Sequence, residues 1–133
     1  MEELIVSKFG GTSLANAEQM DKVRYIIEEN QGRRVIVVSA PGKEQGKKEE
    51  KTTDHLFNIA KDGKHNFSSG NRLTAEQSHE FVIYKFGKIM TDLGIDGREA
   101  ILNSLISDLN IPLAGEKRIG FLASRGEHYT AKI

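Results

Sequence analysis

The run Lys8-Phe9-Gly10-Gly11-Thr12-Ser13 combines the parts an anion site needs: bare glycine amides, hydroxyls and one cation at fixed spacing. The chemistry such parts can do is to hold phosphate. Their order is not that of a Walker A loop, because here the lysine precedes the glycines. Gly42 to Lys47 fails the same pattern, since its glycines are too close together and no Ser or Thr follows its lysines. On its own, Gly10-Gly11 reads equally as an ordinary tight turn. His55, His65, His79 and His128 have no His-Glu-x-x-His spacing and no paired arrangement, so they read as ordinary surface or rim residues and no metal site is expected. The absence of cysteine excludes disulfides, thiolate metal sites, iron–sulfur clusters and a cysteine nucleophile.

Such residues act only where secondary structure brings them together. Leu4-Ile5-Val6 predicts a short buried strand that runs into the glycine turn. From Asn16, the residues Met20, Val23, Ile26 and Ile27 fall at helical spacing, with Asn16 and Gln19 as a capping box and Gly32 as the stop. Val35-Ile36-Val37-Val38, four β-branched residues in a row, predicts a second strand buried on both faces of a parallel sheet. A strand-helix-strand unit sets its loops at the carboxyl ends of the strands, so Lys8 to Ser13 and Ser39 to Lys43 should share one rim. Lys43 to Lys51 is charged throughout and reads as a mobile solvated loop or a lid. A short helix then starts at Thr52-Thr53-Asp54 and ends near Gly63, with Thr53 readable as no more than its N-cap. Lys64 to Arg72 reads as a loop. Thr74 with Gln77 opens a helix that carries Val82, Phe86, Ile89, Met90 and Leu93 on one stripe and stops at Gly94. Another helix spans about Gly97 to Asn110, barred from continuing by Pro112, and Arg118 to Ala123 is ambiguous between strand and helix.

The chain has 133 residues, with 19 Lys plus Arg against 19 Asp plus Glu, enough for one domain and one core. The charge is balanced in each half as well, so a cationic grip on nucleic acid or an anionic membrane is not expected. The longest apolar run near the start is Leu4 to Val6, too short for a signal peptide or a membrane span, and a reducing cytoplasm is the expected setting.

The motifs are more telling in series. Lys8-Phe9-Gly10-Gly11-Thr12-Ser13, Val37-Val38-Ser39-Ala40-Pro41-Gly42-Lys43, Thr53-Asp54-His55-Leu56 and Ser124-Arg125-Gly126-Glu127 occur in this order. The series resembles the N-terminal part of the aspartokinases, members of the amino-acid kinase superfamily. The proline and long charged loop between Ser39 and Thr53 are most similar to a clostridial-type subgroup. The resemblance implies a three-layer α/β/α sandwich with a mostly parallel, carbamate-kinase-like sheet. It also implies transfer of the γ-phosphoryl group of Mg-ATP to the side-chain carboxylate of L-aspartate.

Carried over by motif, Lys8 is the catalytic lysine that neutralises the transferred phosphoryl group. Gly10 and Gly11, with Thr12 and Ser13, face the ATP phosphates. Ser39 and Thr53 lie against aspartate, and Glu127 takes its α-ammonium, a choice that selects an amino acid over a plain dicarboxylate. Ser39 and Glu127 also have bland readings, as a strand-end residue and a surface charge. Arg125 is expected on the same rim as electrostatic support.

Two strands against about four helices are too few for a covered parallel sheet. The resemblance likewise covers only the substrate side of a kinase domain, without the nucleotide-binding half or the ACT domains. Residues 1–133 are therefore expected to be an N-terminal portion that is inactive alone and holds no cofactor tightly. Its exposed sheet edge invites homodimerisation. The alternatives are a noncatalytic module that self-associates or binds a ligand weakly, and a sister amino-acid kinase.

Overall fold

The computed structural model describes residues 3–133. Its two strands, β1 (Ile5–Phe9) and β2 (Arg33–Val38), are parallel and joined through a 3₁₀ turn at Gly11–Leu14 and helix α1 (Ala17–Glu29). Val6 pairs with Val35, Lys8 with Val37 and Phe9 with Val38. Asn16 caps α1 by accepting the Gln19 N–H at 2.9 Å. This is half of the expected capping box.

The helices α2 (Thr52–Ala60), α3 (Ala75–Asp92), α4 (Arg98–Leu109), α5 (Gly115–Ala123) and α6 (Arg125–Lys132) follow. The segment Arg118 to Ala123 is thus helical. Thr74 and Gln77 form the complete capping box of α3, with bonds of 3.0 and 2.9 Å, and Gly94 ends that helix region in the left-handed conformation. α2 packs on α3 and α5, and α4 packs on α3 and α6. Leu56, Ile59, Val82, Phe86, Met90, Leu105, Leu109, Leu122 and Tyr129 form the main core. A second, smaller cluster joins Leu14, Met20 and Val23 to Ile89 of α3 and seats the inner face of the sheet through Phe9 and Val38.

The structure departs from the sequence reading at the strands. Val6, Val35 and Val37 lie on one sheet face, and Val35 and Val37 are 43% and 44% exposed. Leu4 is exposed too. Neither strand is therefore buried on both sides: among the described residues, helices cover the Phe9 and Val38 face alone. The third layer of the sandwich is absent from the described residues.

The segment between β2 and α2 is not a free solvated loop. Glu50 is buried, accepting hydrogen bonds from the Ser69 hydroxyl and from Asn71 Nδ2, and Glu49 pairs with the buried Lys85 of α3. Among the described residues, no helix is long and apolar enough to cross a membrane.

Candidate functional site

The rim at the carboxyl ends of β1 and β2 forms as the strand-helix-strand unit requires. The Ser39 N–H donates to the Phe9 carbonyl at 3.2 Å, and the Gly42 N–H to the Gly11 carbonyl at 2.8 Å, so the two loops run against each other. Lys8, next to last in β1, is exposed and donates from Nζ to Ser39 Oγ at 2.6 Å. One cation and one hydroxyl from different strands thus meet across the β1–β2 pair.

The two glycines have different reasons for being glycine. Neither has positive φ, so neither serves a left-handed turn. Gly11 is packed, because a Cβ there would lie 3.3 Å from the Ala40 carbonyl oxygen and from Gly42 Cα. Gly10 has φ −80° and ψ 172°, which any residue adopts, and nothing lies within 4 Å of where its Cβ would stand. Its bareness leaves space above the turn. Thr12 is exposed and Ser13 half-buried within the 3₁₀ turn, whose Ser13 N–H donates to the Gly10 carbonyl at 3.1 Å.

Thr53 is not an N-cap. Lys51 occupies that position without a side-chain capping bond, and Thr53 is half-buried in the first turn of α2. Thr52 is the more buried of the pair, and its Oγ1 has no partner.

Glu127 lies exposed in the first turn of α6. What brings it near the rim is Gly126. A Cβ at that position would overlap the Ala40 side chain and stand 3.5 Å from Leu56 Cδ1, so α6 touches both the residue after Ser39 and the α2 face one turn on from Thr53. The contact is between Ala40, Leu56 and Gly126, which stand respectively next to Ser39, one turn on from Thr53 and next to Glu127. The Ser124 to Glu127 motif gives Gly126 no role of its own, and this close approach is the reason for a glycine there.

Arg125 does not stand free on the rim. Its Nη1 pairs with Asp108 Oδ2 at 3.4 Å, its Nε donates to the Phe121 carbonyl, and its guanidinium lies over the Phe121 ring. Tyr129 donates to the same Asp108 oxygen at 2.6 Å, and burial with the Asp108 carboxylate pushes its hydroxyl pKa up. These bonds tie α6 to α4.

The histidines are not all surface residues. His55 is 3% exposed, stacks on Phe81 at 4.0 Å between ring centroids, and bonds Ser78 Oγ through Nδ1 at 2.9 Å. Burial lowers its pKa to about 4. His65 bonds Asp54 at 3.1 Å. Among the described residues no three His, Asp or Glu side chains cluster as a metal site would require. A deep apolar groove of about 380 Å³ lies elsewhere, between α1, the inner sheet face and the end of α6, and its lining includes none of Lys8, Ser39, Thr53 and Glu127.

Comparison with known proteins gives a consistent answer. The chain is 32% identical over 133 residues to aspartokinase 3 of Bacillus subtilis (strain 168), a match that covers 96% of this chain and 27% of that protein. The crystal structure of Clostridium acetobutylicum aspartate kinase superposes with a TM-score of 0.75 at 29% identity, over 96% of this chain and 27% of the other. E. coli aspartokinase III in complex with aspartate and ADP shares the fold, with a TM-score of 0.68 at 21% identity, over 98% and 27%. The chain therefore spans about a quarter of the length of these relatives. Residues 3–127 match the amino acid kinase family. The chain carries an aspartate kinase-like domain portion and belongs to the amino acid kinase family.

Proposed function

We propose that residues 1–133 supply the acceptor side of an aspartate kinase active site. The observation that carries this reading is the Lys8 Nζ to Ser39 Oγ bond of 2.6 Å, which joins the phosphate turn to the acceptor rim. An oxygen of the aspartate β-carboxylate attacks the γ-phosphorus in line. The new O–P bond forms as the bond to the β,γ-bridging oxygen breaks, and its electron pair leaves with ADP. The product is 4-phospho-L-aspartate. Such a transfer asks the protein for alignment and charge neutralisation, not for a covalent intermediate.

Lys8 meets the developing charge on the transferred group. Gly10 and Gly11 offer amides, Thr12 and Ser13 offer hydroxyls, and the open space above Gly10 supports close approach of a phosphate. These are donors to phosphate oxygens, which suits a magnesium ion that arrives on the nucleotide and supplies further neutralisation there. Ser39 and Thr53 orient the carboxylates of aspartate, and Glu127 holds its α-ammonium. The chain alone is inactive on this reading, because its relatives extend well beyond the part it matches. A cysteine-free chain of this kind suits the cytoplasm.

The test is a two-dimensional amide spectrum of the chain titrated with L-aspartate, with D-aspartate and L-glutamate in parallel. Shifts at Ser39, Thr53 and Glu127 for L-aspartate alone are expected. Equal shifts for all three ligands, or none in a well-dispersed spectrum, would reject the assignment. In the complete enzyme, Lys8→Met should abolish turnover and leave aspartate binding nearly intact.

A second reading has its own observation. The sheet face of Val6, Val35 and Val37, open among the described residues, favours a noncatalytic module that self-associates. A concentration-dependent dimer in sedimentation, with no response to L-aspartate, would favour it.

A further inference from the structure

The charged segment after β2 is held from both sides by a continuous set of polar bonds. Asn16 uses Oδ1 to cap α1, which leaves Nδ2 to donate to Glu44 Oε1 at 3.0 Å. Glu44 also pairs with Lys47, and its bonds to Lys47 and Asn16 hold its carboxyl below the usual range. The Glu44 backbone N–H donates to Glu49 Oε1 at 2.8 Å. That same oxygen receives Lys85 Nζ at 3.0 Å, from a lysine only 7% exposed on the inward side of α3. The next residue, Glu50, is 6% exposed and is fixed by Ser69 and Asn71. α2 begins two residues later.

A solvated loop has no use for a buried ion pair, whose desolvation is expensive and is offset only when the geometry is fixed by further hydrogen bonds. Here those bonds are present, and they lead from the residue just past the phosphate turn to the residues just before Thr53. We propose that Asn16, Glu44, Glu49 and Lys85 are positioning residues, a polar strap that sets the first turn of α2, and so Thr53, relative to the turn Lys8 to Ser13. The role given to Thr53 rests on the aspartate reading above; the strap itself does not.

The experiment combines amide exchange and L-aspartate titration on the full chain. His55 is the reporter, because its N–H makes the first helical bond of α2, to the Lys51 carbonyl at 3.2 Å. Glu49→Leu, which leaves no acceptor for the Glu44 N–H or Lys85 Nζ, and Lys85→Met cut the strap at its centre. Asn16→Ser cuts it at the far end, keeping a side-chain acceptor for the α1 cap but falling short of Glu44. Each should speed His55 exchange and weaken L-aspartate binding, both by about tenfold. Lys85→Arg should restore wild-type values, and Lys88→Met, which removes an exposed lysine one turn away, should leave both unchanged.

Unaltered His55 exchange in Asn16→Ser and Glu49→Leu would overturn the strap. Faster exchange with unchanged L-aspartate affinity would overturn its positioning role. If Lys85→Met does not fold, Asn16→Ser, which removes no charge, carries the test. A wild-type chain blind to L-aspartate overturns the substrate reading and the role of Thr53 together, and exchange at His55 still decides whether the strap exists.

Discussion

Gly126→Ala tests whether one glycine sets α6 against the rim. A Cβ at residue 126 would lie under 3.0 Å from Ala40 Cβ and 3.4 Å from Ala40 Cα, where ordinary contact begins at 3.4 Å. Ala40 is buried at the end of β2 and Leu56 closes the other side, so no flexible side-chain tip can move away. The helix itself must retreat. Overpacking of this kind costs about 1–3 kcal/mol. The gain in helix propensity from glycine to alanine returns at most about 1 kcal/mol, and less in a first turn. A net loss of about 1–2 kcal/mol is expected, read as a lower midpoint in urea denaturation with an unchanged slope. Ala40→Gly in the same chain removes the obstructing methyl, so the double variant should recover at least about 0.5 kcal/mol relative to the sum of the single changes. Because Glu127 rides on the displaced turn, the proposed function adds that L-aspartate affinity should fall in Gly126→Ala and return in the double variant. A Gly126→Ala chain as stable as wild type, or strictly additive single and double variants, would refute the reasoning.

Two further outcomes follow from the same structure. His55 is buried neutral with a pKa near 4, so on acidification the unfolded chain takes up its proton first. Stability should fall by about 2 kcal/mol, with partial solvent screening allowed for, as pH drops from about 6.5 to about 4, and level off below. His55→Phe, which leaves Ser78 its bond to Asn58, should flatten that part of a urea-midpoint profile. Gly42→Ala would place a Cβ 2.5 Å from Gly11 C and 2.7 Å from Gly11 O, backbone atoms that cannot give way. Its unfolding free energy should drop by about 2 kcal/mol, while Gly10→Ala should stay within about 0.5 kcal/mol of wild type.

The parts of this molecule that were legible in the sequence are those with local causes. Asn16 and Thr74 cap their helices because a short side chain three residues before an amide can reach it, whatever lies around. The rim was legible because parallel strands joined by a helix leave their loops on one side. The exposure of Val35 and Val37 was not, since four β-branched residues favour a strand without saying what will cover it. The burial of His55 had a signal that went unused: Thr52, His55, Leu56 and Ile59 fall on one helical face. Lys85 had one too, standing between Val82 and Ile89 at helical spacing. A charge on an apolar stripe needs a partner, and the partner lay in a segment whose lack of periodicity hid which of its acids turns inward.

The residues of the proposed site rest on unequal foundations. Thr53 and Glu127 stand on helices that share the larger core of Leu56, Val82, Phe86, Leu122 and Tyr129. Lys8 and the glycine turn stand on two strands and α1, seated on the small cluster of Leu14, Met20, Val23 and Ile89, with one sheet face open. Amide openings should therefore be easier around Lys8 and the glycine turn than around Thr53 and Glu127, since local stability follows buried apolar contact. The two sides share α3, whose Ile89 sits in the small cluster, and their seams are Ala40 against Gly126 and the strap from Asn16 to Lys85. Phosphoryl transfer depends on the distance and line between donor and acceptor. On the proposed function, a change at a seam that leaves both clusters packed should then harm alignment more than it harms folding, whereas loss of a core residue such as Phe86 should do the reverse.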